Sequence, residues 1–408
     1  MTIVQRKLNL DKREDRKISI AIMSSFAILA IQYLILIYLD LIGTPYANTI
    51  QLFSKVIVGI FYLIALPTVL KRNKIKFINI YFISIFIFLI NYLFFNENWF
   101  YLKNIIFPFF FTCLPSLVYS WSINNWNILE DVMKKTGILV FIVCSIIALL
   151  VFTNKASIGS YNMALSYYML LPTVVYINEF IENFTIKSFL PVFISFFIIL
   201  TLGSRGAIMC LGVFVILKLI TKEKKFNYKT ILISVIIITL IVIILLSLHS
   251  ILENLYNFLI QFGVHSRSLY LFLRNDVHLS GRELLYKTII EEIKDNPLFG
   301  IGLAGDRRVI NGYTHNIILE IISGFGIIIG SIIVILLGII SLKALFSQNI
   351  KEASNFISMW FCLGLVHLMV SGSYLIDFRF WIFLGLAINY IKKTKKIEQT
   401  ELKHEKSL

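Results

Sequence analysis

Apolar residues in this chain come in long unbroken runs separated by short polar connections, not in the alternation of a half-buried strand or the single stripe of a surface helix. Runs of about 20 residues suit the ~30 Å hydrocarbon core of a bilayer. Twelve are read here: 18–38, 50–70, 77–95, 102–121, 137–153, 161–181, 187–203, 205–221, 229–249, 315–341, 354–373 and 377–391. The expected fold class is therefore an all-α polytopic membrane protein of about 12 transmembrane helices.

One stretch departs from the pattern. Between Ser250 and Thr314 no long apolar run occurs. Within it, Ser280 and Glu283 have capping-box spacing, so a helix should start there. Leu285, Ile289 and Ile293 form an apolar stripe, Glu283 and Lys287 can pair one turn apart, and Pro297 stops the helix. Gly300, Gly302 and Gly305 spell a dinucleotide fingerprint in letters, but no strand precedes them, so that reading is rejected. The glycines are expected to allow tight turns or a close backbone approach to a ligand.

Composition supports the membrane reading: 58% hydrophobic residues, 35 Phe and a mean hydropathy of +0.82 over 408 residues exclude an ordinary soluble globule. The formal charge of +15 does not indicate nucleic acid, because the basic residues concentrate beside apolar runs. With the N-terminus inside, the segments up to Lys17, Lys71–Lys76, Lys134–Lys135, Lys187, Lys218–Lys229, Lys343–Lys351 and Lys392–Lys406 all fall on the cytoplasmic side. The short outer connections hold only Lys55, Lys103, Lys155, Arg205 and Arg379. This alternation predicts a polytopic membrane protein with both termini cytoplasmic and one extracytoplasmic loop containing an amphipathic helix. The expected organisation is a tail at 1–17, nine spans over 18–249, the loop at 250–314, three spans over 315–391 and a tail at 392–408. The first apolar run has no small-residue cleavage site and is read as a retained span. Cys113, Cys144, Cys210 and Cys362 all lie in apolar runs, so no disulfide framework is expected.

The long loop has a formal charge of zero, so an anion site in it must come from particular arginines placed by the fold. Arg205 sits in the tight turn Leu202–Ala207, where a charge at the hydrocarbon edge is either functional or snorkels to lipid phosphates. His315 heads the tenth span beside Asn316, and Glu320 lies about one turn deeper in the membrane. Glu320 could orient a base, bind a sugar hydroxyl, or pair with Arg379 or Lys103. No histidine shows H-x-x-H spacing, and no D-x-D, Walker loop or G-x-S-x-G elbow occurs. Neither a metal nor another cofactor is called for.

Ser204-Arg205-Gly206-Ala207, then Ser280-Gly281-Arg282 opening a helix that ends Asn296-Pro297-Leu298-Phe299-Gly300-Ile301-Gly302, then His315-Asn316 followed by Gly324, Gly326 and Gly330, resemble the O-antigen ligase and O-antigen polymerase family over roughly residues 190 to 340. The resemblance implies a GT-C-like membrane glycosyltransferase that takes a glycan from undecaprenyl diphosphate, metal-independently and with inversion. It implies that Arg205 and Arg282 bind the carrier diphosphate and that His315 helps the acceptor hydroxyl attack. Its partners would be lipid-linked donor and acceptor, the bilayer and a chain-length regulator. Position 329 is Ile, a departure from the ligase glycine spacing that favours the polymerase. The chemistry fits: guanidiniums stabilise a departing diphosphate, and a neutral imidazole can take a hydroxyl proton. A ligase is the nearest alternative. A lipid-linked oligosaccharide flippase is another, but it predicts internal repeats and midplane charges, neither of which is visible.

Overall fold

A computed structural model of the chain describes residues 3–153, 155, 156, 163–182, 185–202, 204–221, 252–261, 263, 269, 270, 273, 282–346 and 351–405. Among the described residues the protein is helical and contains no strand. The helices are α1 (Ile3–Tyr38), α2 (Pro45–Phe94), α3 (Trp99–Pro108), α4 (Leu114–Trp121), α5 (Trp126–Phe152), α6 (Met163–Glu182), α7 (Ile186–Leu202) and α8 (Arg205–Thr221). They continue with α9 (Arg282–Asp295), α10 (Gly305–Ile310), α11 (Ile317–Phe346), α12 (Lys351–Phe361), α13 (His367–Val370) and α14 (Phe378–Glu405). Residues 252–261 are also helical. The expected span at 229–249 and the start of the capping box, Ser280 and Gly281, lie outside the described residues.

Each of the other eleven expected spans coincides with helix. Among the described residues five stretches are long and apolar enough to cross a membrane: Leu10–Tyr38, Pro45–Phe94, Asn96–Trp121, Trp126–Phe152 and Ile317–Phe346. Ile186–Thr201 and Phe356–Val370 are apolar but shorter. The 50 residues of α2 would rise about 75 Å at 1.5 Å per residue, too long for one crossing. The helix breaks at Asn73 (φ −143°, ψ 37°), between the two spans expected there. That break is held from outside the helix: Asn73 Nδ2 donates to Ser122 Oγ at 2.8 Å, and Arg72 Nη1 reaches Asp15 Oδ1 at 2.5 Å and the Ser122 carbonyl at 3.0 Å. Asp15 is fully buried and also accepts from the amides of Asn124 and Asn125, both at 3.0 Å. A buried carboxylate is tolerated only with such partners.

The described chain forms two compact units. One comprises Met1–Leu29, Gln51–Ile138 and Leu279–Leu408; the other comprises Ala30–Ile50 and Leu139–His278. In the first, α4 packs on α14, and Trp360, Tyr119, Tyr390, Phe356 and Phe383 are the largest fully buried side chains. Two π-helical turns interrupt its helices, Phe109–Cys113 after Pro108 and Cys362–Val366 before His367. The second unit packs α6 on α7 and α8, with Phe214 fully buried and Lys218 Nζ 3.0 Å from Glu182 Oε1. All four cysteines are buried and none is in a disulfide.

Candidate active site

In the first unit the chain leaves α9 at Asp295 because Pro297 can supply no amide to another turn. The apolar stripe of α9 faces inward: Ile289 and Ile293 are buried, and the helix packs on α11. The following turn docks on a break in α11. Gly326 has φ +78°, and a Cβ there would lie 2.2 Å from the Leu298 carbonyl oxygen; at Gly300 (φ +67°) a Cβ would lie 2.2 Å from that of Ser323. Only glycine allows both the left-handed backbone and the approach. The docked backbones then satisfy each other, Ile301 N–H donating to the Ser323 carbonyl and Ile327 N–H to that of Pro297, both at 2.7 Å. A broken apolar helix needs such replacement partners. The close approach made by these glycines is to the protein's own backbone.

Two asparagines hold the turn from behind. Asn91 Oδ1 accepts the Leu303 amide at 2.6 Å, and Asn98 Nδ2 donates to the Ile301 carbonyl at 2.7 Å. The short helix α10 then places Asp306 and Arg307 inward, both buried. Arg307 Nη1 lies 2.8 Å from Asp306 Oδ1 and 3.4 Å from Glu320 Oε1, and its Nη2 donates to Ser373 Oγ at 2.7 Å. Ser373 Oγ donates to Glu320 Oε1, and the Tyr374 amide donates to Glu320 Oε2 at 3.3 Å. The other oxygen of Asp306, Oδ2, accepts both the amide and the hydroxyl of Thr314 at 3.1 Å. One guanidinium thus serves two buried carboxylates, and the carboxylates tie α10, the start of α11 and the turn before α14 together.

His315 follows Thr314 directly. Its backbone is left-handed (φ +57°), its ring centroid is 4.4 Å from that of Tyr313, and its buried Nδ1 finds no hydrogen-bond partner among the described residues. Asn316 Oδ1 caps α11 by accepting from the amides of Ile318 at 3.0 Å and Leu319 at 3.2 Å. Burial, then the positive charge of Arg282, then His367 push the His315 pKa down from 6.5 to about 4. The imidazole is neutral at physiological pH. Burial, offset by the Arg307 charge, raises the Tyr313 phenol, which stays protonated.

Arg282 opens α9 and donates from Nη1 to the Val370 carbonyl. The turn that follows Val370 is pinned by a second polar cluster. Asp377 accepts from Arg379 at 2.5 Å and 2.9 Å and lies 3.2 Å from His367 Nδ1. Burial disfavours the Asp377 carboxylate, but Arg379 and His367 outweigh it and hold its pKa below the usual range.

Of the residues singled out from sequence, His315 and Arg282 lie within each other's field, and Glu320 shares their unit. The pairing of Glu320 is corrected: its partners are Arg307, Ser373 and Tyr374, not Arg379, which binds Asp377, nor Lys103, whose Nζ lies 4.7 Å from the Phe100 ring. Arg205 heads α8 in the other unit, after Ser204, whose hydroxyl accepts from Ser166 at 3.3 Å. Sequence reasoning missed Asp306, Arg307, Ser373 and Asp377 as site components. Their signal was present as charges at 306–308 beside the glycine turn and as a polar run at 371–377 between two apolar spans. Among the described residues no group of three His, Cys, Asp or Glu is arranged to hold a metal ion.

Residues 190–334 match the family model described as O-antigen ligase. The match supports an O-antigen ligase/polymerase-like family for that segment of the chain. The matched segment carries Arg205, Arg282, Arg307, His315 and Glu320, whereas Ser373 and Asp377 lie beyond it. No curated protein matches the chain. An O-antigen ligase-like segment in a chain of long apolar helices identifies a membrane protein and points to glycan transfer from lipid-linked substrates.

Proposed function

We propose that the protein is a glycosyltransferase that polymerises undecaprenyl-diphosphate-linked repeat units into a surface polysaccharide at the outer face of the bacterial inner membrane. The observation that carries the reading is His315: a neutral imidazole with a ring nitrogen that has no partner among the described residues, in the field of the Arg282 cation, at the head of an apolar helix. In the reaction the acceptor sugar hydroxyl attacks the anomeric carbon, and a new glycosidic bond forms as the bond to the diphosphate oxygen breaks. The hydroxyl proton passes to His315, and undecaprenyl diphosphate leaves with the electron pair. Arg282 stabilises the leaving diphosphate, and Arg205 keeps the same role by resemblance. Glu320, with both oxygens engaged by protein groups, positions α11 instead of acting as the base.

The proposed topology places the loop at 250–314 outside and both termini inside, from the charge alternation. Phe94, Trp99 and Phe100, in the segment whose Asn98 holds the docked turn, and Phe299, within that turn, are exposed, as aromatic residues are at a membrane interface. Reconstituted enzyme given lipid-linked repeat units alone tests the reading: a ladder of longer lipid-linked glycans is expected. His315→Gln should bind donor but form no ladder, since an amide cannot take a proton at neutral pH. The second reading is a ligase, favoured by the description of the matching family model. It requires product only when a separate lipid or protein acceptor is added. Movement of lipid-linked glycan across vesicles with no new glycosidic bond would overturn both in favour of a transporter.

A further inference from the structure

A groove of about 1130 Å³ runs between the two halves of α2 and the α3–α4 segment. Its walls are made from residues 52–66 and 77–92 of α2, each a rise of roughly 21 to 23 Å, most of the depth of a bilayer core. Three tyrosines of the wall turn their hydroxyls into the protein. Tyr81 donates to the Phe110 carbonyl at 2.9 Å, Tyr119 to that of Tyr62 at 2.6 Å, and Tyr62 pairs with Ser116 Oγ at 2.8 Å. Apart from Lys55, what faces the groove is mainly hydrocarbon and aromatic ring. Water filling such a space would find few partners.

Among the described residues one cation lines it, Lys55. Lys55 is exposed, meets no carboxylate among the described residues and has its Nζ 5.7 Å from the Phe107 ring centroid. It lies 18 residues before the Asn73 break, and Tyr92 lies 19 after it, so both are at the end away from the break. There Tyr92 packs edge-on against Trp99, centroids 5.0 Å apart. A lysine beside aromatic rings at the end of an apolar channel matches a lipid headgroup.

We infer that this groove is a binding site for an anionic glycerophospholipid, its acyl chains along α2 and its phosphodiester on Lys55. The charge count selects that occupant. A phosphodiester carries one negative charge, which one ammonium answers, whereas a diphosphate carries more and would leave charge unmatched. The volume exceeds the ~300–1,000 Å³ of ordinary small-molecule pockets, as a two-chain lipid needs. The inference does not depend on the glycan chemistry.

Gly59 provides the test. It lines the groove, and a Cβ built on it meets nothing within 4 Å, so Gly59→Trp fills the space without displacing a neighbour. Delipidated full-length protein in detergent, given phosphatidylglycerol, phosphatidylcholine or an isoprenyl diphosphate, is read by native mass spectrometry. Wild type should retain one phosphatidylglycerol, preferred over phosphatidylcholine by about five-fold, the effect of one lysine near an anionic headgroup. Gly59→Trp should lose that adduct, and Lys55→Gln should keep lipid but lose the preference. Should Gly59→Trp not fold, quenching by chain-brominated phosphatidylglycerol, compared between wild type and Trp99→Phe, reads the same contact. Equal retention of both phospholipids, unchanged by Lys55→Gln, would mean annular lipid only and overturn the proposal. Preferred retention of the isoprenyl diphosphate, lost in Gly59→Trp, would overturn it in favour of a carrier site.

Discussion

Neutralising Arg282 should shift the acid limb of the transfer reaction upward. His315 acts as a base only while neutral, so activity is full above its pKa and is lost as pH falls through it. In place that value lies about 4, against 6.5 for a free imidazole. Charging the ring therefore costs roughly 3 kcal/mol more here than in water, at about 1.4 kcal/mol per pH unit. Burial is the largest cause, Arg282 the second and His367 the third. Arg282 thus accounts for less than half of the depression, and Arg282→Gln should raise the limb of kcat/KM by no more than ~1 pH unit. Arg282→Lys keeps a charge while losing the planar fork, so it should weaken donor binding and leave the limb low. The same field makes a second statement. A bound diphosphate brings negative charge beside Arg282, so the limb of kcat, which reports the donor-bound enzyme, should lie above that of kcat/KM. The assay is initial-rate glycan elongation from purified donor between pH 4 and 8, titrated in donor at each pH. A wild-type limb near 6.5, or a limb unmoved in Arg282→Gln, would refute the reasoning.

Removing the Arg307 side chain leaves Asp306 and Glu320 buried without their shared cation, so Arg307→Ala should cost roughly 3 to 5 kcal/mol, visible as a lower thermal unfolding midpoint in detergent. Gly326→Ala should be still more disruptive, because its Cβ would lie 2.2 Å and 2.5 Å from backbone atoms of Leu298. Gly338→Ala, with nothing within 4 Å, is the control and should stabilise α11 by roughly 0.5 to 1 kcal/mol. Comparable unfolding midpoints for the two alanine variants would contradict the docked break. Since all four native cysteines are buried, Leu298→Cys, at an exposed position of the docked turn, should label from outside intact cells with an impermeant thiol reagent. Labelling only after lysis would reverse the proposed topology.

Local pattern alone determined the helices, because a run of apolar side chains and a proline act on their own segment of chain. The apolar runs at 50–70 and 77–95, the inward stripe of Ile289 and Ile293 and the stop at Pro297 were all legible that way. The partners of Glu320 were not. Arg307 is 13 residues away, Ser373 is 53 and Tyr374 is 54, and nothing in spacing reveals which of several cations a buried carboxylate will meet. The glycines at 324, 326 and 330 were visible, but that Gly326 breaks α11 was decided by the turn at 297–301, whose backbone replaces the hydrogen bonds the helix gives up. The low pKa of His315 likewise belongs to the tertiary structure: a free imidazole titrates near 6.5, and burial, the field of Arg282, brought from 33 residues away, and that of His367 move it to about 4. Propensity and hydropathy are properties of the nearby chain, whereas desolvation and charge pairing depend on what the fold brings across it.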